Sequence, residues 1–161
     1  MTLKSLAIAS AIALLAAAPA VAQQAVPAYG TPISLDQAKK MLTAAEAEAA
    51  KNNWPVAITI VDTGGHLVAM HRIDNTQIGS IRIAEGKART SVELRRPTKA
   101  LEDALAAGGA GVRFLAIQGV MPLEGGIPIM VDGKIIGGIG VSGVTSAQDA
   151  QVARAGLDAL K

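Results

Sequence analysis

The two histidines are the side chains in this sequence best suited to bind a metal. His66 and His71 lie five residues apart in a segment whose apolar and β-branched residues predict a strand. Because side chains alternate between the two faces of a strand, an odd separation sends the imidazoles to opposite faces, so one chain does not chelate an ion through both. Either imidazole alone could be an axial ligand of haem iron. The alternative is a hydrogen-bonded structural or surface histidine.

Two cations and a pair of glycines could bind an anion. Arg72 and Lys87 are both candidates to hold a carboxylate or a haem propionate. Gly125 and Gly126 precede a predicted strand and could offer two backbone N–H groups. The alternatives are a solvated face or a salt bridge for the cations, and an ordinary start of a strand for the glycines.

Several catalytic chemistries are disfavoured by the residues that are missing. The chain has no cysteine, no Gly-x-Ser-x-Gly motif and no His-Glu-x-x-His motif. The glycine-rich run 137–140 lacks the lysine-serine ending of a phosphate loop and lies inside a predicted hairpin. We therefore predict no catalytic residue, and we expect a protein that binds rather than breaks bonds.

The first 22 residues have the pattern of a signal peptide. Lys4 precedes an apolar run from Leu6 to Ala18, and Ala20-Val21-Ala22 is a small-x-small cleavage site. The run is shorter than the ~20 residues that cross a bilayer, so cleavage rather than anchoring is expected. The sequence predicts export to the periplasm or the exterior, with a mature chain that begins at Gln23 and has no membrane anchor.

Composition limits the kinds of partner that the protein binds. Fifteen lysines and arginines stand against thirteen acidic residues, and the charges are interspersed. Only three residues are aromatic, which gives no platform for stacking bases. We therefore do not expect the protein to bind nucleic acid. The residues after the cleavage site suffice for one domain.

The predicted domain covers residues 34–161, after a flexible leader over residues 23–33. Ser34 and Gln37 form a capping box that opens a helix ending near Lys51. Two strands follow, over residues 56–62 and 66–73, and are joined by a glycine turn. If that turn has two central residues, Asp62 faces Leu67, and His71 shares a face with Ile58 and Ile60, whereas His66 shares the opposite face.

The second half predicts further helices and a second hairpin. Asp132-Gly133 is typical of a tight turn between two strands. Glycines 137, 138, 140 and 143 in the second arm indicate that another backbone, a partner or a ligand comes close. The other predicted elements are helices over 78–93, 97–107 and 146–160 and a short strand over 114–120. Two hairpins favour an α+β fold, with helices segregated around an antiparallel sheet.

Taken together, these motifs resemble the GlcG/HbpS-like haem-binding family from about Ser34 to the C-terminus. The matching segments are Val61-Asp62-Thr63-Gly64-Gly65-His66-Leu67, Arg72-Ile73-Asp74, Ala84 with Lys87-Ala88 and Thr90, Gly125-Gly126-Ile127-Pro128-Ile129, Asp132-Gly133, Ile136-Gly137-Gly138-Ile139-Gly140-Val141-Ser142-Gly143 and Gln148-Asp149. The resemblance implies a profilin- or roadblock-like sandwich with about five antiparallel strands, commonly assembled into homo-oligomers. It also implies haem binding in some members and assigns the iron ligand to no particular position.

Three hypotheses follow. The first is an exported protein that binds a small molecule, with haem as the leading candidate, for haem sensing, storage or handling. Here His71 or His66 binds iron, Arg72 or Lys87 pairs with propionates, Leu67 and Met70 exclude water, and a homo-oligomer helps to form the pocket. The second is a binder or enzyme for a small hydroxy- or keto-acid held by Lys87 and the Gly125-Gly126 amides. The third is an assembly protein without a ligand.

Overall fold

The computed structural model describes residues 26–161. The predicted signal peptide, residues 1–22, and the start of the leader lie outside these residues. The elements are, in chain order, α1 (Leu35–Lys51), β1 (Ala57–Asp62), β2 (Leu67–Arg72), α2 (Gly79–Glu93), α3 (Lys99–Ala106), a 3-10 helix (Gly109–Ala116), β3 (Gly126–Val131), β4 (Lys134–Ser142) and α4 (Ser146–Asp158). Within the described residues, no helix is long and apolar enough to cross a membrane.

The strands form one antiparallel sheet in the order β2-β1-β4-β3. Helices α1 and α4 pack on one face around Met41, Ile58 and Ile139, which are fully buried. Helix α2 packs on the other face against β1, β4 and β3. The fold is therefore α+β with a four-stranded sheet between two helical layers, and the segregation of the helices around an antiparallel sheet is confirmed.

Capping residues fix where α1 and α4 begin. The Ser34 side chain accepts a hydrogen bond from the N–H of Gln37, whose side chain accepts one from the N–H of Ser34, as predicted. Helix α4 uses the same device, between Thr145 and Gln148. Asp149 takes no part in this capping box and instead binds Lys87.

The β3–β4 hairpin turns where the sequence predicts. Asp132 and Gly133 both have positive φ angles, of 48° and 73°, as the two central residues of a type I′ turn require. Beyond the turn, Gly138 and Gly140 lie against α2. A Cβ on Gly140 would lie 2.1 Å from the carbonyl oxygen of Ala84, so only glycine lets the helix backbone rest on the strand. The close approach predicted for these two glycines is made by α2, whereas Gly137 and Gly143 lie against the backbone carbonyls of Val61 and Pro55.

The expected strand over residues 114–120 is not formed. Most of this segment belongs to the 3-10 helix and the loop after it. Gly108, Gly109 and Gly119 all have positive φ angles, which interrupt an extended backbone on both sides. The sheet consequently has four strands rather than about five.

Part of the predicted leader runs beside β4. Backbone hydrogen bonds of 2.8 Å join the N–H of Gly30 to the carbonyl of Ile135, and the N–H of Ile135 to the carbonyl of Ala28. The Tyr29 hydroxyl donates to the carbonyl of Val92, and the Arg95 guanidinium stacks on the Tyr29 ring. From Ala28 to Ile33 the leader is thus held where β4 extends past the end of β1.

The β1–β2 register places His71 directly opposite Ile58, so the two share a face, as predicted, and this is the face covered by α1. A bulge between Ile60 and Val61 then shifts the pairing, and Leu67 pairs with Val61 instead of Asp62. The prediction that Asp62 faces Leu67 was wrong. It counted the register from a two-residue turn, and the bulge adds one residue to that count.

Candidate functional site

His71 forms a hydrogen-bonded pair with a carboxylate of α1. Its Nδ1 lies 2.7 Å from Oε2 of Glu46, and the two side chains are each about half-exposed. A carboxylate at Nδ1 favours the tautomer with the proton on Nδ1, which leaves the lone pair of Nε2 free. Metal-binding histidines commonly have such a partner at the nitrogen that does not bind the metal. His71 therefore has the geometry of a ligand as well as that of an exposed ion pair.

His66 lies at the tip of the β1–β2 hairpin. Its side chain is 82% exposed, and its Nδ1 is 3.3 Å from Oδ1 of Asp62. That oxygen also accepts the backbone N–H groups of Gly64 and His66, so it mainly stabilises the turn. Burial by itself raises the pKa of Asp62, but these N–H donors and His66 lower it more, and the net pKa lies below the usual value.

The sheet separates His71 from the other residues predicted to surround a haem. Residues directly opposite each other in an antiparallel pair share a face, and Met70 pairs with Thr59 while Arg72 pairs with Ala57. These side chains therefore lie on the α2 face, opposite His71. Arg72 donates to the carbonyl of Thr76 at 3.2 Å. Because β2 is an outer strand, the two faces meet only around its open edge.

Lys87 lies in a buried ion pair rather than at a surface. Its side chain is 2% exposed, and its Nζ donates to Oδ2 of Asp149 at 2.8 Å and to the carbonyl of Val141 at 3.0 Å. The other carboxylate oxygen of Asp149 accepts the N–H of Val144. The pair joins α2 to α4 past the end of the sheet. A ligand carboxylate does not reach Lys87 without opening the core.

Burial raises the pKa of the Asp149 carboxyl. Removal from water raises the pKa of the Asp149 carboxyl, while Lys87 and the N–H groups of Val144 and Gly143 lower it in part, and the net pKa is above the usual value. The desolvation cost of the carboxylate is therefore only partly offset by its partners.

Gly125 and Gly126 surround the same ion pair. A Cβ on Gly125 would lie 3.0 Å from Nζ of Lys87, and one on Gly126 would lie 2.3 Å from the Lys87 carbonyl oxygen. The N–H of Gly126 donates to Oγ1 of Thr98 at 2.9 Å, and the N–H of Thr98 donates back to the Gly126 carbonyl. These glycines thus pack against Lys87, and the Gly126 N–H already has a protein partner.

A cleft of 370 Å³ borders the His71 side of the molecule. Its lining includes Trp54 and Ile73, together with Ala50, which lies one helical turn after Glu46. Ile73 follows His71 by two residues, just beyond the end of β2. In residues 26–161, no group of three or more histidine and acidic side chains is arranged to hold a metal ion. A metal bound by His71 would therefore need other ligands of its own, as haem iron has.

The two carboxylates that define these sites were not predicted from the sequence. Glu46 is 25 residues from His71, and Asp149 is 62 residues from Lys87, so neither pair follows from local spacing. One signal was available for the buried pair. Lys87 falls among Ala84, Ala88 and Ser91 on the buried side of α2, a position where a charge requires a partner.

Comparison with known proteins agrees with this fold. The family model "Haem degrading protein HbpS-like" matches residues 33–158. The Escherichia coli protein GlcG is 44% identical over 110 residues, which are 68% of this chain and 81% of GlcG.

Solved structures of related proteins have the same fold. A double mutant of Streptomyces reticuli HbpS has a TM-score of 0.76 at 33% identity, covering 91% of this chain and 99% of that one. The structure titled PduOC:Heme complex has a TM-score of 0.73 at 27% identity, covering 80% of this chain and 95% of that one. The chain belongs to the HbpS-like family.

Proposed function

We propose that this protein is exported and binds haem, with His71 as the axial ligand of the iron. The observation that carries the proposal is the hydrogen bond between His71 and Glu46 in a chain of a family described as haem-degrading. A relative with the same fold is described as a haem complex. Haem supplies an iron atom that accepts a neutral imidazole as axial ligand.

His71 is better prepared for this role than His66. Glu46 holds Nδ1 and so orients the ring with Nε2 free, whereas Asp62 is occupied by two backbone N–H groups at the hairpin tip. The cleft that contains Trp54 and Ile73 includes the residue two positions after His71, and in this proposal its apolar side chains exclude water from the haem ring. Arg72 lies on the opposite face of β2 from His71, so in this proposal it pairs with a propionate that reaches around the open edge of that strand.

A homo-oligomer completes the site in this proposal. The cleft beside His71, at 370 Å³, is near the lower end of the ~300–1,000 Å³ that drug-sized ligands occupy, and the haem macrocycle is large for it. One chain therefore covers only part of the ligand. Light scattering with and without haem tests this point, and a monomer in both states would contradict it.

The iron ligand is tested by titrating haem into the purified protein and following the Soret absorbance. We expect saturable binding to the wild type and to His66→Ala, and loss of the ligated spectrum in His71→Ala, with recovery on adding free imidazole. Glu46→Gln should weaken binding by roughly 10- to 100-fold, the usual effect of removing the partner of a metal-bound histidine. If His71→Ala titrates like the wild type, His71 is not the ligand.

Export rests on the sequence pattern of residues 1–22. N-terminal sequencing of the protein recovered from the periplasm or the medium should begin at Gln23. Full-length protein retained in the cytoplasm would contradict the proposal.

A further inference from the structure

A second pocket lies at the opposite edge of the sheet from His71. It has a volume of 260 Å³ and is formed where the chain passes from Gly125 to Ile127 alongside α4. Its wall is mainly apolar and includes Ile127, Ala150 and Leu157. Because the sheet order is β2-β1-β4-β3, the whole sheet separates this pocket from the proposed haem site.

The pocket has cationic side chains at its rim. Lys99 and Arg154 both line it, along with one acid, Glu124. Lys99 already donates to Asp103, one turn further along α3. Arg154 is 58% exposed, and its NH1 is 4.0 Å from Oε1 of Glu124, too far for a hydrogen bond. The guanidinium of Arg154 therefore has N–H groups to offer to another anion.

We propose that this pocket binds a small monocarboxylate with an apolar body. The body would lie against Ile127, Ala150 and Leu157, and the carboxylate would accept hydrogen bonds from Arg154, whose planar fork matches two oxygens. The volume lies just below the ~300–1,000 Å³ range of drug-sized ligands, so the ligand is smaller than a typical drug.

The apolar wall and the charged rim together define the ligand class. An apolar wall offers no hydrogen-bond partner to the hydroxyl of a hydroxy-acid, which would lose its hydrogen bonds to water on binding. An uncharged apolar molecule would fill the wall but would leave Arg154 with only its ion pair to Glu124 and no hydrogen bond to the ligand. Lys87, behind Gly125, takes no part because its ammonium is bound to Asp149.

Benzoate is a suitable probe, with benzyl alcohol and acetate as controls for the charge and for the apolar body. Calorimetry should show saturable binding of benzoate, with benzyl alcohol and acetate each at least about tenfold weaker. In NMR spectra, benzoate should shift the amide resonances of Gly125 to Ile127. Equal affinity for benzyl alcohol, or shifts only around Trp54, would overturn the proposal.

Arg154→Gln tests the head group, and Arg82→Gln removes the same charge from an exposed site on α2. We expect Arg154→Gln to weaken benzoate binding by about tenfold, since a hydrogen bond to a charged group is lost, and Arg82→Gln to leave it unchanged. Haem titration should be unaffected by Arg154→Gln, so the two proposals fail separately. Equal loss in both variants would indicate nonspecific attraction and refute the site.

Discussion

Replacing one partner of the buried ion pair should strongly destabilise the protein. Lys87→Met keeps most of the side-chain volume but leaves the Asp149 carboxylate, with a side chain only 3% exposed, without its cation. Breaking a buried pair in this way typically costs about 3–5 kcal/mol. Because small domains have a total stability of roughly 5–15 kcal/mol, the variant should lose a large fraction of its free energy of unfolding.

The size of the loss should depend on pH. Burial already raises the pKa of Asp149, and removing Lys87 takes away a cause that lowers it. A folded-state pKa above the unfolded value gives a contribution that is present at low pH and lost as pH rises through the folded pKa. Lys87→Met should therefore be closer to the wild type at pH 5 than at pH 8.

Urea denaturation followed through Trp54, the only tryptophan, measures both effects. Lys87→Met/Asp149→Asn should recover much of the loss, because it leaves no buried charge and keeps an acceptor for the Val144 N–H. Lys40→Met, on the exposed side of α1, is the matched control and should stay within about 0.5 kcal/mol. A single Lys87→Met variant as stable as that control would refute the reasoning and return Lys87 to the candidate ligand contacts.

Three smaller perturbations test the packing and the hairpin, each by the same denaturation assay. Gly140→Ala should cost about 3 kcal/mol or more, since its Cβ would meet the Ala84 carbonyl and displace α2; an unchanged midpoint would contradict this contact. Gly79→Ala, with no atom within 4 Å of the new Cβ, should instead stabilise by up to about 1 kcal/mol, and a loss would show a hidden clash. Asp62→Asn should destabilise most at neutral pH: the lowered pKa of Asp62 gives stability that is present above its unfolded pKa and lost as pH falls through the folded one. A difference that persists at pH 2 would rule out this charge effect.

The sequence predicts local structure well where the cause is itself local. The Ser34 capping box, the Asp132-Gly133 turn and the glycines that admit α2 each follow from residue types within a few positions. The prediction of a strand over residues 114–120 was wrong because the apolar residues of this segment do not reveal the positive φ angles at Gly108 and Gly119. The bulge at Val61 was equally hidden, since nothing in the β1 and β2 sequences marks an extra residue.

The candidate site was harder to predict because its contacts are tertiary. Residue type singled out His71 and Lys87 as candidate ligand contacts, but it did not reveal their carboxylate partners, which come from α1 and α4, far along the chain. Once those partners are known, the two residues separate by physical role. Lys87 is buried and bound to Asp149 and to the carbonyl of Val141, so it joins α2 to α4. His71 is half-exposed with its Nδ1 bound to Glu46, so its Nε2 is available at the edge of the sheet. A ligand can therefore be bound at the half-exposed pair without opening the core, which is why we propose His71 rather than Lys87 as the iron ligand.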